Sequence, residues 1–143
     1  MRKIKFRVWS KFNGGTMIFV NENGFYEKSF LHENGYWQSA SLHSLLERKD
    51  VNIMQYVGLT DKNGRDIYEG DIVKCFVKGH MKVTFKHGAF CLESLKYASV
   101  VTEFRDVFGE IEVIGNIYEN KELLTDWLTS VFFYIYECYN KDM

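Results

Sequence analysis

The sequence contains no proline, so backbone reversals must be made by other residues, chiefly glycine and asparagine. It also lacks an apolar run of the roughly 20 residues that cross a bilayer, and its charged amino terminus has no signal-peptide core. We therefore expect a cytoplasmic protein without a membrane segment. At 143 residues, the chain suffices for one domain with a substantial core.

Cysteine is scarce, and its spacing indicates no metal or redox chemistry. Cys75, Cys91 and Cys138 form no CxxC pair and show no zinc-ligand spacing with histidine. The four histidines are scattered, and HExxH, GxSxG and glycine-rich phosphate loops are all missing. We therefore predict free thiols in a reducing compartment, with no cofactor, metal or catalytic residue.

Charge is nearly balanced overall but uneven along the chain. The formal net charge of −1 argues against strong non-specific binding to nucleic acid, which requires a basic excess. The first strand carries Lys3, Lys5 and Arg7 on one face, whereas a later stretch is dominated by acidic residues. We predict that these cations lie opposite Glu110 and Glu112, because opposite charges favour pairing of the first and last strong strands.

Aromatic residues and asparagine-glycine pairs indicate β structure. Aromatics make up 17% of the chain and suit the half-buried surface of a sheet. Asn-Gly pairs, which tolerate the positive φ of tight hairpin turns, start at residues 13, 23, 34 and 63. Gly115 interrupts a strand and predicts a bulge. Between the turns, the sequence predicts strands at residues 3–9, 16–20, 24–31, 36–39, 52–57, 72–77, 80–86, 89–94, 100–104 and 110–118.

Two segments have helical spacing instead. Residues 41–48 predict a short helical turn capped by Ser41, and residues 121–139 predict a C-terminal helix with Asn120 as its N-cap. The predicted fold is mainly β: a single barrel-like or sandwich-like antiparallel domain with a mid-chain helical turn and a C-terminal helix. We assign residues 1–124 to the β domain and residues 125–143 to an aromatic helical tail.

The stretch MQYVGLTDKNGRDIYEGDIV, residues 54–73, combines three glycines with four acidic side chains. The spacing of Asp61, Asn63 and Asp66 loosely resembles a calcium loop. Such a loop requires glycine at its sixth position and a bidentate glutamate at its twelfth. Here glycine is fourth and Ile72 is twelfth, so we interpret the stretch as the crossing between two β-hairpins.

The segment Glu69-Gly70-Asp71 also admits a catalytic interpretation, as two carboxylates near the start of a strand. Acids so close in sequence point to opposite sides of an extended strand, and no partner base or nucleophile stands at a recognisable spacing. We therefore predict that Gly70 takes a left-handed conformation and that Asp71 caps the turn.

Four lysines form a candidate basic face for binding: Lys74, Lys78, Lys82 and Lys86. They alternate along two predicted strands, so a hairpin would lay them together beside Phe76, a composition suited to single-stranded nucleic acid. An ordinary solvated face is the alternative, in which lysines discourage edge-to-edge association. The balanced net charge favours this alternative.

Three stretches together resemble a known family. MRKIKFRVW at the start, MQYVGLTDKNGRDIYEGDIVK in the middle and IEVIGNIYENKELL near the end are similar to the YopX-like proteins of bacteriophages and prophages. The resemblance spans residues 1 to about 124 and implies a β-rich phage protein without an assigned biochemical activity. It supplies no catalytic or binding residues, and the aromatic tail departs from the family pattern.

The tail is the predicted interaction surface because its apolar residues have the composition of an interface core. They are Trp127, Leu128, Val131, Phe132, Phe133 and Ile135. Packing within the chain and association with a second copy both account for them. We predict a non-enzymatic phage accessory protein that contacts an unidentified protein, or itself as a homo-oligomer. The alternatives are a single-stranded nucleic-acid-binding module and a small hydrolase or nuclease.

Overall fold

The computed structural model describes residues 3–11, 14–20, 30–31, 37–38, 47–75, 79–96, 100–107 and 109–125. These residues form antiparallel strands and short 3-10 turns. The chain divides into two compact units: Met1–Thr60 with Gly64–Glu69, and Asp61–Asn63 with Gly70–Met143. The prediction of a mainly β, antiparallel protein is confirmed, and one sheet is curled into a half-barrel.

The described part of the first unit is built from short strands and one long one. They are β1 (Phe6–Ser10), β2 (Thr16–Val20), β3 (Phe30–Leu31), β4 (Trp37–Gln38), β5 (Val51–Thr60) and β6 (Asp66–Tyr68). A four-stranded sheet has the order β2-β1-β5-β6, and β3 pairs with β4. One face of this sheet buries Val8, Ile18 and Val20 together. Apolar side chains at alternate positions of β1 and β2 therefore meet on one face of the sheet, as strand geometry requires.

The second unit contains a five-stranded antiparallel sheet. Its strands are β7 (Asp71–Cys75), β8 (Gly79–Lys86), β9 (Ala89–Ser94), β10 (Val101–Thr102) and β11 (Ile111–Asn116), in the order β10-β9-β8-β7-β11. The predicted meander of three successive strands is confirmed by β7, β8 and β9. Its inward-facing side chains are almost completely buried, as Val73, Met81, Val83 and Leu92 show.

Turn and bulge predictions agree with the structure where it describes them. Gly64 and Gly88 lie in turns with φ of 79° and 81°, which glycine adopts without the strain of a Cβ atom. The register of β11 against β7 shifts between Val113 and Gly115, so the predicted bulge is confirmed. Strand β6 was not predicted, because its three residues lie between turn-forming residues.

The pairing predicted between the first and last strong strands is wrong. Strand β1 lies between β2 and β5, while β11 pairs with β7 in the other sheet. Both edges of β1 are thus occupied by neighbours that bury apolar side chains with it. Cross-strand charge pairs contribute only about 0.2–1 kcal/mol each, so they do not override that burial.

Several predicted elements lie wholly or partly outside the described residues. Of the predicted mid-chain helical turn, residues 41–46 lie outside the described residues. Of the predicted C-terminal helix, every residue from 126 onward lies outside them. Asn120 does occupy an N-cap position, but it begins a short 3-10 helix, Lys121–Leu124. Among the residues described, no helix has the length and apolarity needed to cross a membrane.

The turn after β1 makes a matched pair of glycines available for a stability test. A Cβ atom at Gly15 would overlap the Trp9 ring, whereas a Cβ atom at Gly14 would meet nothing within 4 Å. Both glycines have positive φ, so Gly14→Ala should cost about 1–2 kcal/mol of unfolding free energy through backbone strain alone. Gly15→Ala should cost about 1–3 kcal/mol more because the indole must move. Urea unfolding of both variants measures the difference, and equal losses would contradict the proposed Trp9 contact.

Candidate functional site

The loop Asp61–Asn63 lies along the outer edge of β11 in the second unit. The Lys62 backbone N–H donates to the Ile111 carbonyl at 3.0 Å. The Val113 N–H donates to Asp61 Oδ2 at 2.9 Å, and the Asn63 N–H donates to Asp61 Oδ1 at 2.9 Å. Asp61 is only 7% exposed, so its carboxylate supplies the partner that water would otherwise give two backbone donors.

An ion pair reinforces the same contact at the surface. Lys62 Nζ lies 2.6 Å from Glu112 Oε2, and both side chains are partly exposed. Since both oxygens of Asp61 accept backbone hydrogen bonds, the acidic loop acts as an edge cover for β11. The turn predicted at Asn63-Gly64 is confirmed, and it joins β5 to its antiparallel partner β6. In the ranges described, His, Cys, Asp and Glu side chains form no group of three that could hold a metal ion.

Gly70 forms the corner that leads into β7. Its φ is 81°, which confirms the predicted left-handed conformation. The Gly70 N–H donates to the Val83 carbonyl, and the Gly70 carbonyl accepts from the Ile117 N–H, both at 2.9 Å. Asp71 follows directly and is completely buried. This corner therefore joins three segments of the second unit through one residue that needs positive φ.

The first unit contains a cluster of cations and aromatic rings that sequence reasoning missed. Arg7 is 3% exposed, and its guanidinium lies 4.7 Å from the centroid of the Tyr68 ring. Its Nη2 atom lies 3.4 Å from the Glu69 carbonyl oxygen. The Tyr68 ring also meets the Phe19 ring edge-on at 6.3 Å and the Tyr56 ring at 5.6 Å. Arginine stacked on tyrosine here binds β6 to β1 through buried contacts.

Lys5 extends the same cluster toward the surface. Its Nζ lies 2.7 Å from Asp66 Oδ2 and 5.0 Å from the centroid of the Tyr56 ring. The hydrogen bond with Asp66 raises the pKa of Lys5, and burial raises the pKa of Tyr56. The alternating basic residues of the first strand are therefore not a plain solvated face. The missed signal was the pair of tyrosines in the stretch 54–73, which supplies the rings.

The candidate basic face is only partly a set of neighbouring lysines. Lys82 and Lys86 lie on β8 beside Glu93 of β9, whose oxygens are 3.5 Å and 2.7 Å from the two Nζ atoms. The hydrogen bond with Lys86 lowers the pKa of Glu93. Lys74 is exposed on β7, and Lys78 lies outside the described residues. Binding of single-stranded nucleic acid by these lysines stays a prediction, with a carboxylate now placed between two of them.

Comparison with known proteins identifies the family of this chain. A family model described as YopX protein matches residues 5–125. The chain belongs to the YopX family. A similar solved structure is that of protein EF1440 from Enterococcus faecalis, at 23% identity and a TM-score of 0.52. The match covers 85% of this chain and 97% of that one, and at this identity it shows the fold alone. No curated protein matches the chain.

The three stretches that carry the YopX resemblance are those that build the framework. Arg7 from the first stretch stacks on Tyr68 from the second. The second stretch also provides Asp61, which binds the backbone of Val113 from the third. These side chains hold strands together. The tail residues proposed for self-association, 127–135, lie outside the described residues, so their role stays a prediction.

Removing the Asp61 carboxylate should destabilise this YopX protein strongly. Asp61→Ala leaves the buried Val113 N–H without its acceptor, so we expect a loss of about 1–3 kcal/mol in unfolding free energy. The matched control is Lys62→Ala, which removes only an exposed ion pair and should cost less than about 1 kcal/mol. Urea unfolding of both variants measures the losses. A near-wild-type Asp61→Ala variant would refute the structural role of this carboxylate.

The Glu93 ion pairs should give a pH-dependent contribution to stability. Because the folded pKa of Glu93 is lowered, its stabilisation is present above the unfolded pKa of about 4.3 and disappears as pH falls through the folded pKa. Glu93→Gln should therefore lower the unfolding free energy at pH 7, by at most about 1 kcal/mol, and have less effect near pH 3. Urea unfolding at both pH values tests this, with Lys86→Met expected to reproduce the loss at pH 7. A loss independent of pH would contradict the ion-pair account.

Proposed function

We propose that this YopX protein is a phage or prophage accessory protein that works in the cytoplasm of a bacterial host without catalysing a reaction. It acts through non-covalent binding to other proteins. Support comes from the use of its acidic side chains: Asp61 binds backbone donors, while Asp66, Glu93 and Glu112 pair with lysines. Because these four carboxylates stabilise the fold, they are not available as general acids or bases, which favours a binding function over acid–base catalysis.

The observation that carries the proposal is an aromatic pair at the end of the β8–β9 hairpin. Phe85 and Phe90 lie opposite each other across the two strands, with ring centroids 5.0 Å apart in an edge-to-face arrangement. Phe85 nevertheless remains 50% exposed. Behind it on the same face of β8, Val83 is buried, so the apolar row continues from the core out to the surface.

This aromatic pair has the physical properties of a protein-binding anchor. Each ring is fixed by its neighbour and by a tight turn through His87 and Gly88, which have φ of 53° and 81°. An aromatic side chain held in this way loses little conformational entropy when a partner covers it. Burial of such anchors usually dominates the energy of an interface.

The tail residues Trp127, Leu128, Val131, Phe132, Phe133 and Ile135 are proposed as a second contact surface, through which the chain associates with itself. Their aromatic and apolar composition supports the proposal. Light scattering on the full chain and on a chain ending at Leu124 tests it. A smaller particle mass, in units of the chain's own mass, after shortening supports the tail surface, and the same number of copies for both chains removes it.

Affinity capture from infected or lysogenic host cells tests the proposed function. A protein partner should be recovered with the wild-type chain and with Ile4→Ser, a control at a residue that is 60% exposed in the first unit. Phe85→Ser should reduce recovery at least about tenfold, corresponding to about 1.4 kcal/mol of binding free energy. Recombinant partner, once identified by mass spectrometry, gives the same ratio by direct titration.

Two results would overturn the proposed function. Equal recovery with Phe85→Ser and Ile4→Ser would remove the aromatic pair as the contact surface. Recovery that is lost after nuclease treatment, or that weakens steeply with salt and after substitution of Lys74, Lys82 and Lys86, would establish nucleic-acid binding instead.

A further inference from the structure

Strand β2 is the outer strand of the four-stranded sheet, and its hydrogen-bonding direction follows from its neighbours. At the two ends of β1, the adjoining Lys5 carbonyl accepts from the Tyr56 N–H at 2.9 Å, and the adjoining Lys11 N–H donates to the Asp50 carbonyl at 3.0 Å. Odd-numbered residues of β1 therefore bond toward β5. Because antiparallel bonding alternates along a strand, the even-numbered residues of β1 bond toward β2.

The outward groups of β2 belong to Met17 and Phe19. Thr16, Ile18 and Val20 are in register with even-numbered residues of β1 and bond to them. This leaves the N–H and C=O of Met17 and of Phe19 directed away from the sheet. Among the described residues, no backbone hydrogen bond outside the β1–β2 ladder reaches these groups.

Within the ranges that the structure describes, the outer edge of β2 shows none of the protections that sheet edges usually carry. Residues 12–21 contain no charge, and the whole chain contains no proline. Strand β2 reads TMIFV, and Phe19 is 45% exposed. Proteins normally protect an outer strand with lysine, proline, a bulge or a covering loop, because an uncharged apolar edge pairs with other strands. The outer edge of β11, by contrast, is covered by Lys62 and Asp61.

We propose that β2 pairs antiparallel with β2 of a second copy of this chain, about a two-fold axis at Ile18. In this register Met17 lies opposite Phe19 of the second copy, and each such pair exchanges both of its backbone hydrogen bonds. Two four-stranded sheets thereby become one continuous sheet. The pairing is isologous, so it closes at two copies and leaves no β2 edge exposed.

The chemistry of the edge selects a second copy over a different partner. An uncharged strand offers no charge complementarity to a foreign strand, so a suitable partner must be equally uncharged and apolar, as β2 itself is. Directly opposite residues share a face of the sheet, so Met17 of each copy would cover the exposed Phe19 ring of the other copy. The dimer would thus contain two such contacts, one on each side of the axis. Thioether and aromatic ring form a favourable contact in this arrangement. This inference does not depend on the proposed function, which uses other residues.

Sedimentation velocity on the full chain tests the pairing. The wild type should have at least twice the monomer mass of 16.9 kDa. Met17→Lys and Phe19→Lys each place a charge at the centre of the joint and should raise the dissociation constant at least about tenfold, as lysine does at natural edges. Ile4→Lys is the matched control in the same unit, at an apolar residue that is 60% exposed, and should remain a dimer. Urea unfolding confirms that each variant folds, since Phe19 also contacts Tyr68.

Amide hydrogen exchange supplies a second measurement. Unfolding would not reproduce the expected result, because it would expose all the amides of β2 alike. The amides of Met17 and Phe19 should become protected as protein concentration rises, whereas those of Ile18 and Val20 are protected at every concentration by β1. A wild type that stays monomeric overturns the inference, and so does exchange at Met17 and Phe19 that is independent of concentration. A dimer that persists in both lysine variants overturns it as well, and assigns self-association to another surface such as the tail.

Discussion

The backbone of an outer strand must find partners for its N–H and C=O groups, and the loop Asp61–Asn63 meets this requirement for β11. Asp61 supplies a carboxylate to the Val113 N–H, and Lys62 supplies its own N–H to the Ile111 carbonyl. The rest of the second unit depends on this closure, because β11 completes a sheet whose inward-facing side chains, such as Val73, Met81 and Leu92, are buried. An acidic loop that suggests metal binding thus has a structural role, in which Asp61 and Lys62 bind the backbone of β11.

The first unit is held by a different device, in which cations are buried against tyrosine rings. Arg7 would be costly to bury alone, but the Tyr68 ring and the Glu69 carbonyl lie within reach of its guanidinium. The contact spans two distant parts of the chain, which the fold must bring together before either side chain is stabilised. The basic residues that open the sequence therefore encode strand order within this unit, and an acidic partner macromolecule is not needed to explain them.

Much of the strand pattern could be predicted from the sequence because its causes are local. Turn-forming glycines and the runs of β-forming residues between them place β2, β8 and β9 almost to the residue. What could not be predicted depends on register between distant segments. Asp61 and Val113 are separated by 52 residues, and Glu93 meets Lys82 only because β8 and β9 pair as they do. Charge asymmetry suggested that β1 and β11 pair, but weak charge pairs do not decide pairing when apolar burial is at stake.

The outer strands β11 and β2 show how one chain can treat the same problem in opposite ways. The edge of β11 is closed by a loop of the chain itself, at the cost of burying a carboxylate. The edge of β2 carries no charge, although a single lysine in place of Phe19 would protect it at the expense of the ring contact with Tyr68. An edge left apolar where protection is so easily made is best explained by a strand that another strand covers.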